Sequence, residues 1–145
     1  MMLSLRYDLR APAFGPSTSS LYAAAIEQSV WAEQHGFMMV ALSEHHGSDD
    51  GYCPSPMMVA SAIASRTSTL RLLLAALVLP LHDPVRLAED LAVLSILSGG
   101  RVDMIAGAGY LPQECAMFGT TMDDRVPRLE EAIRVLRAAW SGEPF

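Results

Sequence analysis

Lysine is missing from this sequence, and all 10 of its basic residues are arginines. The 16 acidic residues give a formal charge of −6, and no stretch concentrates basic side chains, so a nucleic-acid-binding surface is not expected. The absence of lysine also excludes a phosphate-binding loop that depends on one. The composition is nevertheless 51% apolar over 145 residues, which predicts a single domain, residues 1–145, with enough apolar side chains for a core.

Cysteine is scarce, and long apolar runs are missing. Cys53 and Cys115 form no CxxC motif, and no secretory apolar segment follows residues 1–10, so we expect free thiols and a cytoplasmic protein. The longest apolar run, residues 70–81, is interrupted by Arg71 and Pro80 and is shorter than the roughly 20 residues of a membrane helix. No membrane-spanning segment is predicted.

Short apolar runs alternate with helical periodicity along the chain. The apolar runs predict strands at residues 3–9, 37–43, 72–79 and 102–106. Helical spacing predicts helices at about residues 21–35, 56–67, 84–97 and 127–140. Asp83 and Pro84 are typical of the start of a helix, and Gly99 and Gly100 are typical of its end. A long loop is predicted at residues 107–126.

The predicted strands begin roughly every 30 residues, a periodicity that indicates four βα units in series. Such units form a parallel sheet, which is either open and doubly wound or curled as part of a barrel. The favoured fold is α/β, half of a (β/α)8 TIM barrel, because a whole barrel typically takes about 250 residues. An open sheet that binds a nucleotide is disfavoured, because the phosphate-binding loops are missing.

The exit of the second strand carries the first candidate site, because ligands of parallel α/β folds bind at the carboxyl ends of strands. Alternation places Ala41, Ser43 and His45 on one side of the strand and Glu44 on the other. The smaller side chains are expected to face the barrel interior, so His45 would point into the barrel mouth.

A histidine in the barrel mouth can donate a hydrogen bond to a bound redox cofactor or shuttle a proton to it. The alternative is that His45 and His46 are loop residues bonded to the backbone. A metal site is not expected, because adjacent histidines at a strand end point apart and no third ligand stands at standard spacing.

Two clusters of small residues are further candidates. Gly107, Ala108, Gly109 and Tyr110 follow the fourth strand and serve either a tight strand-exit turn or a close approach of a cofactor. They do not form a dinucleotide fingerprint, because Pro112 occupies the third glycine position.

The second cluster lies in the middle of the third strand. Ala75 and Ala76 are small among leucines and leave room at the sheet face. That room suits either neighbouring side chains or a flat ring.

Four segments together resemble the bacterial luciferase-like monooxygenases, a family of flavin- and deazaflavin-dependent barrel enzymes, over nearly the whole chain. The first is Glu44-His45-His46, and the second is LPLHDPVRLAED at residues 79–90. The third runs from SGGRVD to GAGY at residues 98–110. The fourth contains Phe118-Gly119, then Asp-Asp-Arg, and a helix that ends in Trp-Ser-Gly-Glu-Pro at residues 140–144.

The resemblance implies an oxidoreductase or monooxygenase that uses reduced FMN or a deazaflavin coenzyme on a small organic substrate. It implies that His45 assists the flavin chemistry and that Glu44 and His46 lie at the cofactor. It also implies a cis peptide bond at Ala75-Ala76 under the ring, and a ring edge or ribityl chain lined by residues 107–110.

The sequence departs from the family in two respects. Luciferase carries an arginine for the flavin phosphate and a reactive cysteine near the fourth strand's exit, where this chain has Ala106, Gly107 and Ala108. The family's remaining cofactor contacts come from the second half of the barrel. We therefore expect a homodimer or higher oligomer. In a dimer of half-barrels, strand one of each copy would lie beside strand four of the other. The alternative is a non-catalytic truncated barrel or partner subunit with weak or no flavin binding.

Overall fold

The computed structural model describes residues 1–144 as four strands and five α-helices that alternate along the chain. The strands are β1 (Ser4–Tyr7), β2 (Met39–Leu42), β3 (Arg71–Val78) and β4 (Val102–Gly107). The helices are α1 (Thr18–Gln34), α2 (Pro56–Ala64), α3 (Pro84–Ser98), α4 (Pro112–Met117) and α5 (Arg125–Ala139), and a 3₁₀ turn (Leu79–Leu81) follows β3. The strands pair in parallel in the order β1-β2-β3-β4, which confirms the prediction of four βα units.

The main departure from the sequence prediction lies between β4 and the last helix. The predicted loop at residues 107–126 contains α4, and α5 begins at Arg125 rather than at Pro127. A helix of six residues is less than two turns long, too short to show helical periodicity. Pro112 at its first position was the local signal for its start.

The two faces of the sheet differ in the way that strand alternation predicted. Val40, Leu42, Leu72 and Leu74 are completely buried against the helices and form the centre of the apolar core. The opposite face is partly open, and Ile105 on β4 is 52% exposed there. The helix-facing side is therefore packed most tightly at β2 and β3, whereas the side that faces the barrel interior remains accessible at β4.

Helix α3 begins and ends where the sequence indicated. The side chain of Asp83 accepts a hydrogen bond from the backbone N–H of Arg86 at 2.8 Å and caps the first turn. Gly99 takes a left-handed conformation with φ of 66° and ends the helix. Both cysteines are buried free thiols, and no helix among residues 1–144 is long and apolar enough to cross a membrane.

Arg101 holds together the end of the sheet opposite the strand exits. Its side chain is buried, and all five of its N–H groups are used. Nε donates to the carbonyl of Ser98 at 2.6 Å, and the two Nη atoms donate to Thr67 Oγ1 and to the carbonyls of Ala64, Thr67 and Leu70 at 2.8 to 3.1 Å. The carbonyl of Ala64 is at the C-terminal end of α2, where the helix dipole favours a cation.

We expect Arg101→Met to lower the free energy of unfolding by about 3 kcal/mol, because several buried carbonyls lose their donor. Arg101→Lys should also destabilise the protein, since an ammonium has three donors instead of five. Arg137→Met, at an exposed position on α5, is the matched control and should change stability by less than about 0.5 kcal/mol. Urea unfolding followed by circular dichroism measures all three. Equal effects of Arg101→Met and Arg137→Met would contradict the proposed role of Arg101.

Candidate functional site

The carboxyl ends of the strands border a cleft of about 430 Å³. The cleft brings together the loop after β2, the segment after β4 and the start of α4. Its lining residues are Arg10, His45, His46, Gly47, Ser48, Tyr52, Tyr110, Leu111, Gln113 and Glu114. Three of the residues singled out from the sequence, His45, His46 and Tyr110, therefore lie at one place.

The His45 imidazole lies between two tyrosine rings at the surface of this cleft. Its ring meets the ring of Tyr52 edge-on at 4.4 Å between centroids and that of Tyr110 at 5.7 Å. Its Nδ1 lies 2.9 Å from Oε1 of Glu114. Its Nε2 makes no hydrogen bond with any residue between 1 and 144, and the side chain is 20% exposed. One nitrogen is thus held by the protein and the other is available to a ligand.

Glu114 is the residue of this site that the sequence did not reveal. It lies in the first turn of α4 and is buried. Besides the contact with His45, its Oε1 accepts the backbone N–H of His46 at 2.8 Å. A single glutamate inside a predicted loop belongs to no sequence pattern that would indicate a functional role. Recognition of α4 from Pro112 would have placed this carboxylate on a helix beside the strand exits.

Glu44 points to the opposite side of β2 from His45, as alternation predicted, and its side chain is fully buried outside the cleft lining. Its Oε1 accepts hydrogen bonds from Nε2 of His46 at 3.0 Å and Nε2 of His82 at 2.7 Å. Its Oε2 accepts the backbone N–H of Val78 at 2.6 Å. The carboxylate therefore joins the ends of β2 and β3 to the segment that precedes α3.

The ionisation of Glu44 follows from these contacts. Burial opposes the charged form, but the hydrogen bonds from His46, His82 and Val78 outweigh burial and lower the pKa of Glu44 to about 2. His45 and His46 do lie in the loop after β2, but their ring nitrogens contact carboxylates and not the backbone. His46 also meets the ring of Phe118 at 4.6 Å.

Ala75 and Ala76 lie within β3, and the segment from Gly107 to Gly109 lies at the end of β4 and directly after it. None of these small residues lines the cleft. The Ala75-Ala76 peptide bond is cis, where the resemblance placed it, and the pairing of β3 with β4 shifts register at this point. A Cβ on Gly107 would lie 2.9 Å from Cβ of Ala76, and one on Gly109 would lie 2.9 Å from Cγ1 of Val78. Both glycines allow the segment around Ala108 to pack closely against β3.

We expect the stability provided by Glu44 to be present above its ordinary pKa of 4.5 and to be lost as the pH falls toward about 2. Glu44→Gln should therefore be less stable than the wild type at neutral pH, and the difference should shrink steadily at acidic pH. Urea unfolding at several pH values measures this difference. Glu27→Gln, at a carboxylate that is 65% exposed, is the control and should show little effect. A Glu44→Gln deficit that is independent of pH would contradict the assignment.

The comparisons with known proteins agree with the fold. The family model described as luciferase-like monooxygenase matches residues 8–145. Limonene 1,2-monooxygenase from Rhodococcus erythropolis is 35% identical over 123 residues, which cover 82% of this chain and 32% of that protein. An F420-dependent glucose-6-phosphate dehydrogenase from Amycolatopsis mediterranei is 29% identical over 150 residues, which cover 98% of this chain and 43% of that protein.

A solved structure extends the agreement to three dimensions. The oxygenating constituent of 3,6-diketocamphane monooxygenase from Pseudomonas putida, in complex with FMN, superposes with a TM-score of 0.91 at 26% identity. The superposition covers 100% of this chain and 41% of that chain, so the four βα units form half of a (β/α)8 TIM barrel, as predicted. The chain spans between about a third and two fifths of the length of these relatives. With a family model that matches residues 8–145, the chain belongs to the luciferase-like monooxygenase family.

Proposed function

We propose that the protein is a flavin- or deazaflavin-dependent oxidoreductase that acts on a small organic substrate and that the cleft at the strand exits is part of its active site. The observation that carries this proposal is the His45 imidazole, which a buried carboxylate holds at Nδ1 while Nε2 remains available to the cleft. A histidine that is fixed at one nitrogen and accessible at the other is suited to donate or accept a proton.

The residues that line the cleft are better suited to bind the flat ring of a flavin or deazaflavin than to bind its phosphate group. Tyr52 and Tyr110 flank His45 with apolar ring surface, and aromatic walls of this kind suit a flat heterocycle. Arg10 is the one arginine in the lining, and it is paired with Asp50 at 2.6 Å. We therefore propose that the ring binds at His45 and that the phosphate is held by groups outside this cleft.

We propose two candidates for the cofactor. One relative carries FMN in its solved structure, and another is named as F420-dependent, so reduced FMN and a deazaflavin coenzyme are both candidates. Either cofactor supplies the electrons of the reaction when bound. The contribution of this chain is to orient the ring, to accept a proton at Nε2 of His45, and to exclude water with the tyrosine rings.

We also propose that a second copy of the chain completes the barrel. The strands β1 and β4 are the two edges of the sheet, and their backbone groups are free to pair with further strands. The inner face carries the exposed side chain of Ile105. A two-fold arrangement, with β1 of each copy beside β4 of the other, would pair both edges and cover this face.

Replacement of His45 by Ala should reduce turnover by about 100-fold with little change in cofactor affinity, because the group that accepts the proton is lost while the aromatic walls remain. The assay supplies reduced FMN, dioxygen, and limonene or 3,6-diketocamphane, the compounds that name two relatives. Titration of FMN fluorescence measures affinity. His35→Ala, on the exposed end of α1, is the control and should leave both quantities unchanged. Unaltered turnover in His45→Ala would refute the assigned role.

Light scattering on the purified chain, with an absorbance spectrum of the same peak, tests the assembly and the cofactor together. We expect a dimer peak that shows the visible absorbance band of a flavin or the single band of a deazaflavin at shorter wavelength. A colourless monomer that also fails to bind added FMN would overturn both parts. That result would support the alternative of a non-catalytic chain or partner subunit.

A further inference from the structure

The contacts of the His45 ring define its protonation as well as its position. An ionised carboxylate can only accept hydrogen bonds, so at 2.9 Å from Glu114 Oε1 the Nδ1 atom of His45 must carry the hydrogen. In the neutral imidazole this leaves Nε2 unprotonated, with its lone pair free to accept a proton. The alternative tautomer would place two acceptors, the carboxylate oxygen and the Nδ1 lone pair, against each other.

The Glu114 carboxylate is fixed in place by burial and by a second hydrogen bond, so it favours the His45 tautomer that is protonated at Nδ1. The residue is 2% exposed, and its Oε1 accepts the backbone N–H of His46 as well as the His45 ring. The helix that carries it also contacts the loop after β2 at two further points. The ring of Phe118 packs on that of His46, and Met117 Sδ occupies the space where a Cβ on Gly47 would lie.

Glu44, the second buried carboxylate at the strand exits, contacts His46 and not His45. Glu44 contacts the ring of His46 from the helix-facing side of β2, whereas Glu114 contacts the ring of His45 from α4. Each of the two adjacent imidazoles is therefore matched with its own buried carboxylate. This separation allows the effect of one carboxylate to be measured against the other in the same protein.

We propose that Glu114 is a positioning residue that fixes His45 in the tautomer protonated at Nδ1 and turns its unprotonated Nε2 into the cleft. Through this contact the neutral His45 is prepared to accept a proton, and the imidazolium that forms on acceptance is stabilised by the same carboxylate. The tautomer assignment stands on the geometry of this chain alone. Its consequence for turnover rests on the proposed function.

The first test is the tautomer of His45 in the cofactor-free protein, read from the ring ¹⁵N chemical shifts and their two-bond couplings to the ring protons. The wild type should show a protonated Nδ1 and an unprotonated Nε2 at a pH where the ring is neutral. Glu114→Ala should convert His45 to a mixture of tautomers. Glu114→Gln should retain the wild-type tautomer, since an amide oxygen still accepts the Nδ1 hydrogen.

Two matched variants separate positioning from general damage to the fold. Glu89→Gln alters a carboxylate on α3 that is 65% exposed and outside the cleft lining, and it should leave the His45 signals unchanged. Glu44→Gln should alter the His46 ring signals and not those of His45. A wild-type His45 that is protonated at Nε2, or a Glu114→Ala signal identical to the wild type, would overturn the proposal. The wild-type measurement remains decisive even if Glu114→Ala does not fold.

The second test concerns turnover with reduced FMN and limonene or 3,6-diketocamphane. Glu114→Gln should lower kcat by about 10- to 100-fold with little change in KM, because the amide orients the ring but does not stabilise the imidazolium. An unchanged kcat in an active enzyme would refute the catalytic consequence. If the wild type shows neither turnover nor FMN binding, the proposed function fails, whereas the tautomer result still decides the positioning role of Glu114.

Discussion

A buried carboxylate joins the ends of two neighbouring strands, and the geometry of the strand exits depends on it. Glu44 accepts hydrogen bonds from Val78 at the end of β3, from His46 after β2, and from His82 before α3. A buried charge is stable only when enough donors surround it, so these three segments are held at fixed distances from one another. His45 lies between Glu44 and His46 in the chain, and its ring is held by the second buried carboxylate, Glu114.

Side-chain alternation gives the adjacent residues Glu44 and His45 different surroundings at this edge of the sheet. The side chain of Glu44 turns to the helix-facing side and anchors the scaffold, whereas that of His45 turns to the interior side and meets the cleft. The buried leucines and valines on the helix-facing side keep the four strands in register. The opposite side is more accessible, as the 52% exposure of Ile105 shows.

Much of this architecture followed from local sequence. Apolar runs bounded by glycine and proline predicted all four strands, and the spacing of these runs predicted their parallel order. The pair Asp83-Pro84 and Gly99 marked the ends of α3 correctly. The helix α4 was not predicted, because its six residues carry too few positions for a helical period to show. The buried role of Arg101 was also not predicted, since its acceptors come from three separate segments.

The sequence by itself determined the fold class, the family, and the side of β2 on which His45 and Glu44 lie, because side-chain alternation acts between adjacent residues. Only the tertiary structure decided which carboxylate each histidine meets. Glu114 lies 69 residues from His45 in the chain, and His82 lies 38 residues from Glu44. Contacts over such separations form only when the packing of helices on the sheet brings α4 and the start of α3 to the strand exits, and no local pattern encodes that packing.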